Sequence, residues 1–291
     1  PSIIHTKSNL FAPYLHAHFL LKSEKMLEEA AQKATENPRF LRHVQLAQMG
    51  IDYVILLNEA KLKQQATAQG ISWPDKHQRR YDRFKYIAEH IAHLSAISEG
   101  DEDISAFLEA VKEPAIAPES NCPHPGIPQE KCIDFHEVGF TLAGAYITYD
   151  PKASDHRTAR LPGDTLDDNG EGGGAGVWGI QIPYDDLLPQ NDDHWYLYAA
   201  VRATPNPQYN FTADPNPVLF RSGISEDEPI EYHKKDFEDD AYHIVRLSPY
   251  PQYQDNSSYI WFAPTDIEDI TAPSPLKALY VDRIFAVRTD E

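Results

Sequence analysis

Cys122, His124, Cys132 and His136 are the residues whose types come nearest to a metal-ligand set in this chain. Zinc takes thiolates and imidazoles tetrahedrally, at characteristic spacings. The pattern Cys-x-His followed by Cys-x3-His matches no common zinc module. The preferred expectation is therefore a disulfide between Cys122 and Cys132, ten residues apart, in a chain exported to an oxidising compartment. His90 and His93 share a predicted helix face, but no His-Glu-x-x-His frame surrounds them. The Asp/Gly-rich segment 163–174 offers oxygen ligands without the Asp-x-Asp-x-Asp-Gly order of a calcium loop, and it reads first as an exposed loop. No cofactor is expected beyond a structural calcium somewhere in this half.

Catalytic signatures are missing. There is no Gly-x-Ser-x-Gly elbow, no Walker loop and no dinucleotide fingerprint. The carboxylate pairs Asp185/Asp186, Asp192/Asp193 and Asp239/Asp240 are adjacent in sequence and point apart on a strand, whereas a glycosidase dyad spans about 5–10 Å across its substrate. Sugar recognition has a different signature. The C–H face of a sugar packs on a flat aromatic ring, and its hydroxyls take planar polar partners. Tyr209, Tyr250 and Tyr253 lie on Pro/Asn-rich loops, and Asp192 and Asp193 could supply polar contacts. These five are the candidate glycan-binding residues. Trp178 and Trp195 sit within predicted strands and are expected in the core.

The formal charge is −19, unevenly placed. Residues 1–115 carry 14 Lys+Arg against 15 Asp+Glu, leaving 12 of the 26 basic and 30 of the 45 acidic residues for the rest. So acidic a second half disfavours a phosphate backbone, whose binding relies on cationic neutralisation, and nucleic acid is not an expected partner. No apolar run is long enough to cross a membrane. Pro1-Ser2-Ile3-Ile4 lacks an initiator Met and suggests the interior of a longer polypeptide, with a lost leader as the alternative.

The elements that must position these residues change character near residue 114. Before it, apolar residues recur at helical spacing. A first helix capped at Ser8 or Asn9 would bury Leu15, Phe19 and Met26, among others. A second, capped by Asn37 with Pro38 at its first position, would bury Phe40, Val44 and Val54 and run through Ala60 toward Gly70. A third opens at Trp73-Pro74-Asp75 and a fourth near Asp101 or Asp103. Arg79, Arg80, Arg83 and Lys85 read as a solvated basic face. Together these predict a helical bundle over 1–113.

Residues 114–131 carry Pro114, Pro118, Pro123, Pro125 and Pro128 and read as a linker. From 132 to 291 the pattern has period two. Strands are predicted at Ala145–Tyr149, Val177–Ile182, Trp195–Arg202, Val218–Arg221, Ala241–Leu247, Tyr259–Ala263 and Ala278–Val287, with the last lying near Ile133. The fold class expected is α+β multidomain: an N-terminal α-helical bundle followed by an antiparallel, jelly-roll-like β-sandwich.

Two groups of residues carry a resemblance. One is Pro13-Tyr14-Leu15 with Asn37-Pro38-Arg39-Phe40-Leu41-Arg42-His43-Val44 and Asp52-Tyr53-Val54. The other is Asp150-Pro151-Lys152-Ala153-Ser154, Ala159-Arg160-Leu161-Pro162-Gly163, Tyr198-Ala199-Ala200-Val201-Arg202 and Tyr280-Val281-Asp282-Arg283-Ile284. Together they resemble the C-terminal region of the bacterial proteins of domain-of-unknown-function family 4838, glycoside hydrolases related to α-glucuronidases. The resemblance implies a helical domain and a carbohydrate-binding-type sandwich that follow a catalytic (β/α)8 barrel. It carries over no catalytic residue, because none of the matching motifs is catalytic. The expected partners are a polysaccharide or oligosaccharide and the catalytic barrel of the same parent, in an extracellular or periplasmic setting. The alternatives are a structural module packing on a partner domain, and a glycoside hydrolase with an unrecognised site.

Overall fold

The computed structural model describes residues 15–94, 104–116, 122–142, 144–163, 179–183, 187–189, 193–225, 227–253, 258–265 and 272–288. The chain divides into two compact units, Pro1–Pro118 and Glu119–Glu291.

The first unit is helical: α1 (Ala17–Lys33), α2 (Pro38–Leu57), α3 (Glu59–Ala68), α4 (His77–Ile87) and α5 (Ile104–Ala110). Asn37 caps α2 as expected, its Oδ1 accepting from the Phe40 amide at 3.3 Å with Pro38 at the first position. His16 caps α1, and the expected caps Ser8, Asn9, Asp101 and Asp103 lie outside the described residues. The long second helix is divided at Asn58. There the side-chain Nδ2 and the backbone N–H both donate to Val54 O, at 3.0 and 3.1 Å, and the backbone leaves the helical region. Asn competes with the backbone in this way because its amide is close enough to its own chain. Gly70, at φ +67°, then ends α3 in the left-handed conformation that glycine tolerates.

The inward stripe of α1 is Ala17, Leu20 and Glu24. Met26, two residues past Glu24, points about 200° away from it and is 60% exposed. Phe19 and Phe40 are likewise exposed rather than buried. The reason lies on α4. Arg80 is fully buried, donating from Nε and Nη2 to the two oxygens of Glu24 at 2.9 Å each. Arg83 joins Asp52 at 2.6 and 2.7 Å and also reaches Glu28. Of the basic cluster expected on a solvated face, Arg79 and Lys85 do face solvent, whereas Arg80 and Arg83 turn inward into charge pairs, in a unit whose aromatic core is Tyr53, Phe84 and Phe107.

The second unit is a sandwich of two antiparallel sheets. Its strands are β1 (Cys132–His136), β2 (Thr141–Leu142), β3 (Tyr146–Tyr149), β4 (Arg157–Pro162), β5 (Ile180–Pro183), β6 (Trp195–Pro205), β7 (Val218–Ile224), β8 (Ile230–His233), β9 (His243–Arg246), β10 (Tyr259–Pro264) and β11 (Leu276–Arg288). One sheet runs β3-β4-β11-β6-β9 with β1 also on β11, and the other runs β2-β5-β10-β7-β8. From β4 to β7 the chain changes sheet at every step, and it does so again from β8 to β11, as in a Greek-key sandwich. Leu161, Leu197, Val201, Leu279, Val281 and Ile284 of the first sheet face Ile180, Leu219, Phe220, Ile260 and Phe262 of the second. Period-two burial follows from strand geometry, since successive side chains point to opposite faces. The closing strand does meet the entry strand, with Ile133 opposite Ala286.

Candidate functional site

Three features of the sandwich present chemistry. The first is the loop after β9. Tyr250 and Tyr253 are 72% and 58% exposed, the two most exposed large apolar side chains described in this unit. Their backbone is nonetheless fixed. Arg246 donates from Nε to Ser248 O at 2.7 Å and from Nη2 to Pro249 O at 2.8 Å, while its guanidinium lies 4.0 Å over the Tyr196 ring. Ser248 Oγ donates to Tyr250 O at 2.6 Å, and Gln252 and Trp195 exchange backbone hydrogen bonds of 2.7 Å. His194 lies 6.1 Å from the Tyr253 ring, and Asp193 sits beside it, 3.6 Å from Arg288. Asp192 lies outside the described residues, as does Trp178. Trp195 is buried, as expected.

Tyr209 is not part of this surface. It follows the far end of β6, in a turn where its hydroxyl donates to Asp214 at 3.4 Å and its ring packs on Phe211. The eleven residues of β6 separate it from Trp195, about 33 Å along the strand.

The second feature escaped sequence reasoning. Tyr146, Arg160, Tyr280 and Arg202 are successive register partners across β3, β4, β11 and β6. They form a row of alternating rings and guanidinium groups on the outer face, and Tyr242 continues it just before β9. Arg202 lies 3.8 Å over the Tyr280 ring and 5.6 Å from that of Tyr242; Arg160 lies 5.3 Å from that of Tyr146 and hydrogen-bonds its hydroxyl. Arg202 also donates to Asp150 Oδ2 at 2.5 Å and Asp240 Oδ1 at 2.8 Å, and Tyr242 donates to Asp150 Oδ2 at 2.8 Å. Only the inter-strand register aligns these residues, and Arg160 lies in a strand that the sequence pattern does not predict.

The third feature is a buried polar cluster. His136 and Glu137 follow one another at the end of β1, Asp155 lies in the tight turn before β4, and Asp282 is in β11. One ligand atom from each of His136, Glu137 and Asp155 falls within 4.8 Å of the others, the one such group among the described residues. Burial, followed by the charge of Asp155, pushes the Glu137 carboxyl well above its ordinary range. Burial and then Asp155 also raise Asp282, to about 6. For His136 burial acts downward, but Asp134 at 3.2 Å and the carboxylates of Glu137 and Asp155 push it up to about 9.

This cluster takes His136 away from the zinc set considered above. His124 packs instead on the Tyr198 ring, 4.9 Å away. Cys122 and Cys132 are free thiols that meet in a small apolar cluster with Phe285 and Val287. Burial and the neighbouring Cys122 thiol push the Cys132 thiol up. His93 ends its helix in the left-handed region with Nδ1 at 3.1 Å from Glu89 O, and His90 packs on Tyr86. Apart from Gly163, the segment 163–174 lies outside the described residues.

The architecture is thus an α+β chain whose second unit is a β-sandwich. No protein-family model matches it. No curated protein sequence matches it either. Among solved structures it is similar to the mosquito-larvicidal Cry4Aa toxin of Bacillus thuringiensis, at 6% identity and a TM-score of 0.34, over 55% of this chain and 24% of the toxin. It is also similar to the insecticidal delta-endotoxin Cry8Ea1 of the same organism, at 8% identity and a TM-score of 0.25, over 41% of this chain and 19% of that one. The chain therefore spans about a quarter or less of these toxins. Likenesses at this level carry no argument about its activity.

Proposed function

We propose that this chain is the non-catalytic, C-terminal part of a carbohydrate-active protein, in which the helical unit is a support and the sandwich binds a polysaccharide or oligosaccharide. The observation that carries this reading is the pair of exposed tyrosines on the anchored loop after β9. Exposed apolar patches rimmed by polar groups mark interaction surfaces. A loop held by Arg246, Ser248 and Gln252 loses little freedom when a ligand docks, which favours affinity. His194 places a polar ring 6.1 Å from that of Tyr253, and Asp193 precedes it in the chain. Acidity of the second half is compatible with a neutral sugar and opposes polyanions. The resemblance to the glucuronidase-related family supports the same reading and implies a neighbouring catalytic barrel and an extracellular or periplasmic setting.

Calorimetric titration with a panel of oligosaccharides tests this. Binding by the intact chain that weakens at least about tenfold, ~1.4 kcal/mol, in Tyr250→Ala or Tyr253→Ala would establish the loop as the contact. Loss in Tyr280→Ala alone would move the site to the Tyr/Arg row of the outer face. Silence with every sugar would leave the sandwich as a packing module.

A further inference from the structure

Asp282 marks a break in the sheet. On one edge of β11, β4 pairs with Ala278–Val281 and β1 pairs with Arg283–Val287; on the other edge the register with β6 shifts between Val281 and Arg283. Asp282 therefore has no register partner in any of these ladders, and such irregularities re-aim a side chain. Its carboxylate turns to the segment ahead of β4, where Ser154 donates its N–H at 3.2 Å and its hydroxyl at 3.0 Å. The next residue, Asp155, accepts the Arg157 amide on Oδ1, while its Oδ2 lies 3.8 Å from His136 Nδ1. Glu137 enters from the end of β1. It is fully buried, and neither carboxylate oxygen has a hydrogen-bond partner among the described residues. His136 Nδ1 is 3.9 Å from Glu137 Oε2 and also lacks a hydrogen-bond partner among them.

A carboxylate buried without a hydrogen bond is among the costliest groups a protein can hold, unless a charge neutralises it. Two positive groups bear on Glu137, the His136 imidazole at 3.9 Å and the buried Arg157 guanidinium, but neither hydrogen-bonds either of its oxygens. The spacing instead suits a shared ion. Ligand atoms held about 2.0–2.6 Å from one cation stand up to about 4–5 Å apart, and the three groups here fall within 4.8 Å. We infer that this junction is a divalent-cation site in which Glu137 and Asp155 supply carboxylate oxygens, Asp282 fixes the turn that carries Asp155, and His136 Nδ1 faces the ion. The cation would tie the ends of β1 and β4 together where β11 passes from one to the other. This inference is independent of glycan binding, and sugar titrations do not bear on it.

The intact chain, stripped with chelator, is titrated separately with calcium and zinc while thermal unfolding and bound metal per chain are measured. One ion per chain and a rise in midpoint of about 5–10 °C at a hundredfold excess over Kd are expected. Glu137→Gln and Asp155→Asn should each abolish the rise, and either one suffices if the other does not fold. His136→Gln separates the two chemistries: it abolishes a zinc response but spares a calcium response carried by oxygens alone. No binding and no rise with either ion would overturn the inference, as would a rise that survives both carboxylate substitutions.

Discussion

Glu24 and Arg80, on different helices and 56 residues apart, meet through two parallel hydrogen bonds of 2.9 Å with almost no access to solvent. Such a pair specifies its partner more than it stabilises the fold, because desolvation offsets most of the attraction. Removing one member is another matter. Arg80→Ala leaves Glu24 buried with less compensation and is expected to destabilise the helical unit by about 3–5 kcal/mol. Urea unfolding followed by circular dichroism at 222 nm measures this, and a loss under about 1 kcal/mol would show that Arg83 and Lys76 suffice.

The Glu59–His77 contact predicts an acid dependence. Burial alone would raise the Glu59 carboxyl, but His77 at 2.5 Å, with help from Lys63, holds it at about 2 against an ordinary 4.5. A depressed carboxylate contributes stability that is present above its unfolded value and lost as pH falls through its folded one. The helical unit should therefore weaken between about pH 4.5 and 2. Replacing His77 with Gln should flatten that part of the profile, and an unchanged slope would contradict the assignment.

Cys122 and Cys132 offer a redox test. The thiols already share one cluster, so mild oxidation should close a disulfide without moving the sheet. Constraining a loop of this length stabilises by about 2–3 kcal/mol on the chain-entropy account. The comparison is of oxidised and reduced protein in denaturant, with Cys122→Ala as the control that should not respond.

Gly163 is expected to be intolerant of a side chain. A Cβ there would lie 1.8 Å from the carbonyl oxygen of Leu276, which is backbone and cannot swing aside. Gly163→Ala should cost the sandwich at least about 1–3 kcal/mol. A midpoint equal to wild type would mean that the β4–β11 pairing is looser than the register indicates.

Much of the architecture was legible because it follows from local rules. Asn37-Pro38 announced α2, and alternation in Trp195–Arg202 announced β6. Less legible were features made by distant residues. Arg80 looks like any basic residue on a helix until Glu24 is placed against it, and Phe19 and Met26, seven residues apart, share a helix face that resembles a core stripe, whereas the stripe that is buried is Ala17, Leu20 and Glu24. The strand Arg157–Pro162 was hidden by its polar residues, one of which, Arg157, is buried. Of the candidate site, the exposure of Tyr250 and Tyr253 came from their loop composition. Tyr209 shares their loop composition but not their place, because sequence gives no distance between loops. The Tyr/Arg row and the Glu137–Asp155–Asp282 junction depend on register, which no single segment encodes.

The central place of β11 has a consequence for how the protein is made. It pairs with β1, β4 and β6, all of which precede it, and Arg283 reaches Asp134 across 149 residues of chain. On the ribosome the earlier strands emerge with open edges and must wait for β11 to join them. Contacts so distant in sequence slow folding, because the loop entropy is lost before the pairing repays it. The sandwich should therefore acquire its structure late and all at once, with nascent chains lacking β11 prone to associate through β4 and β6.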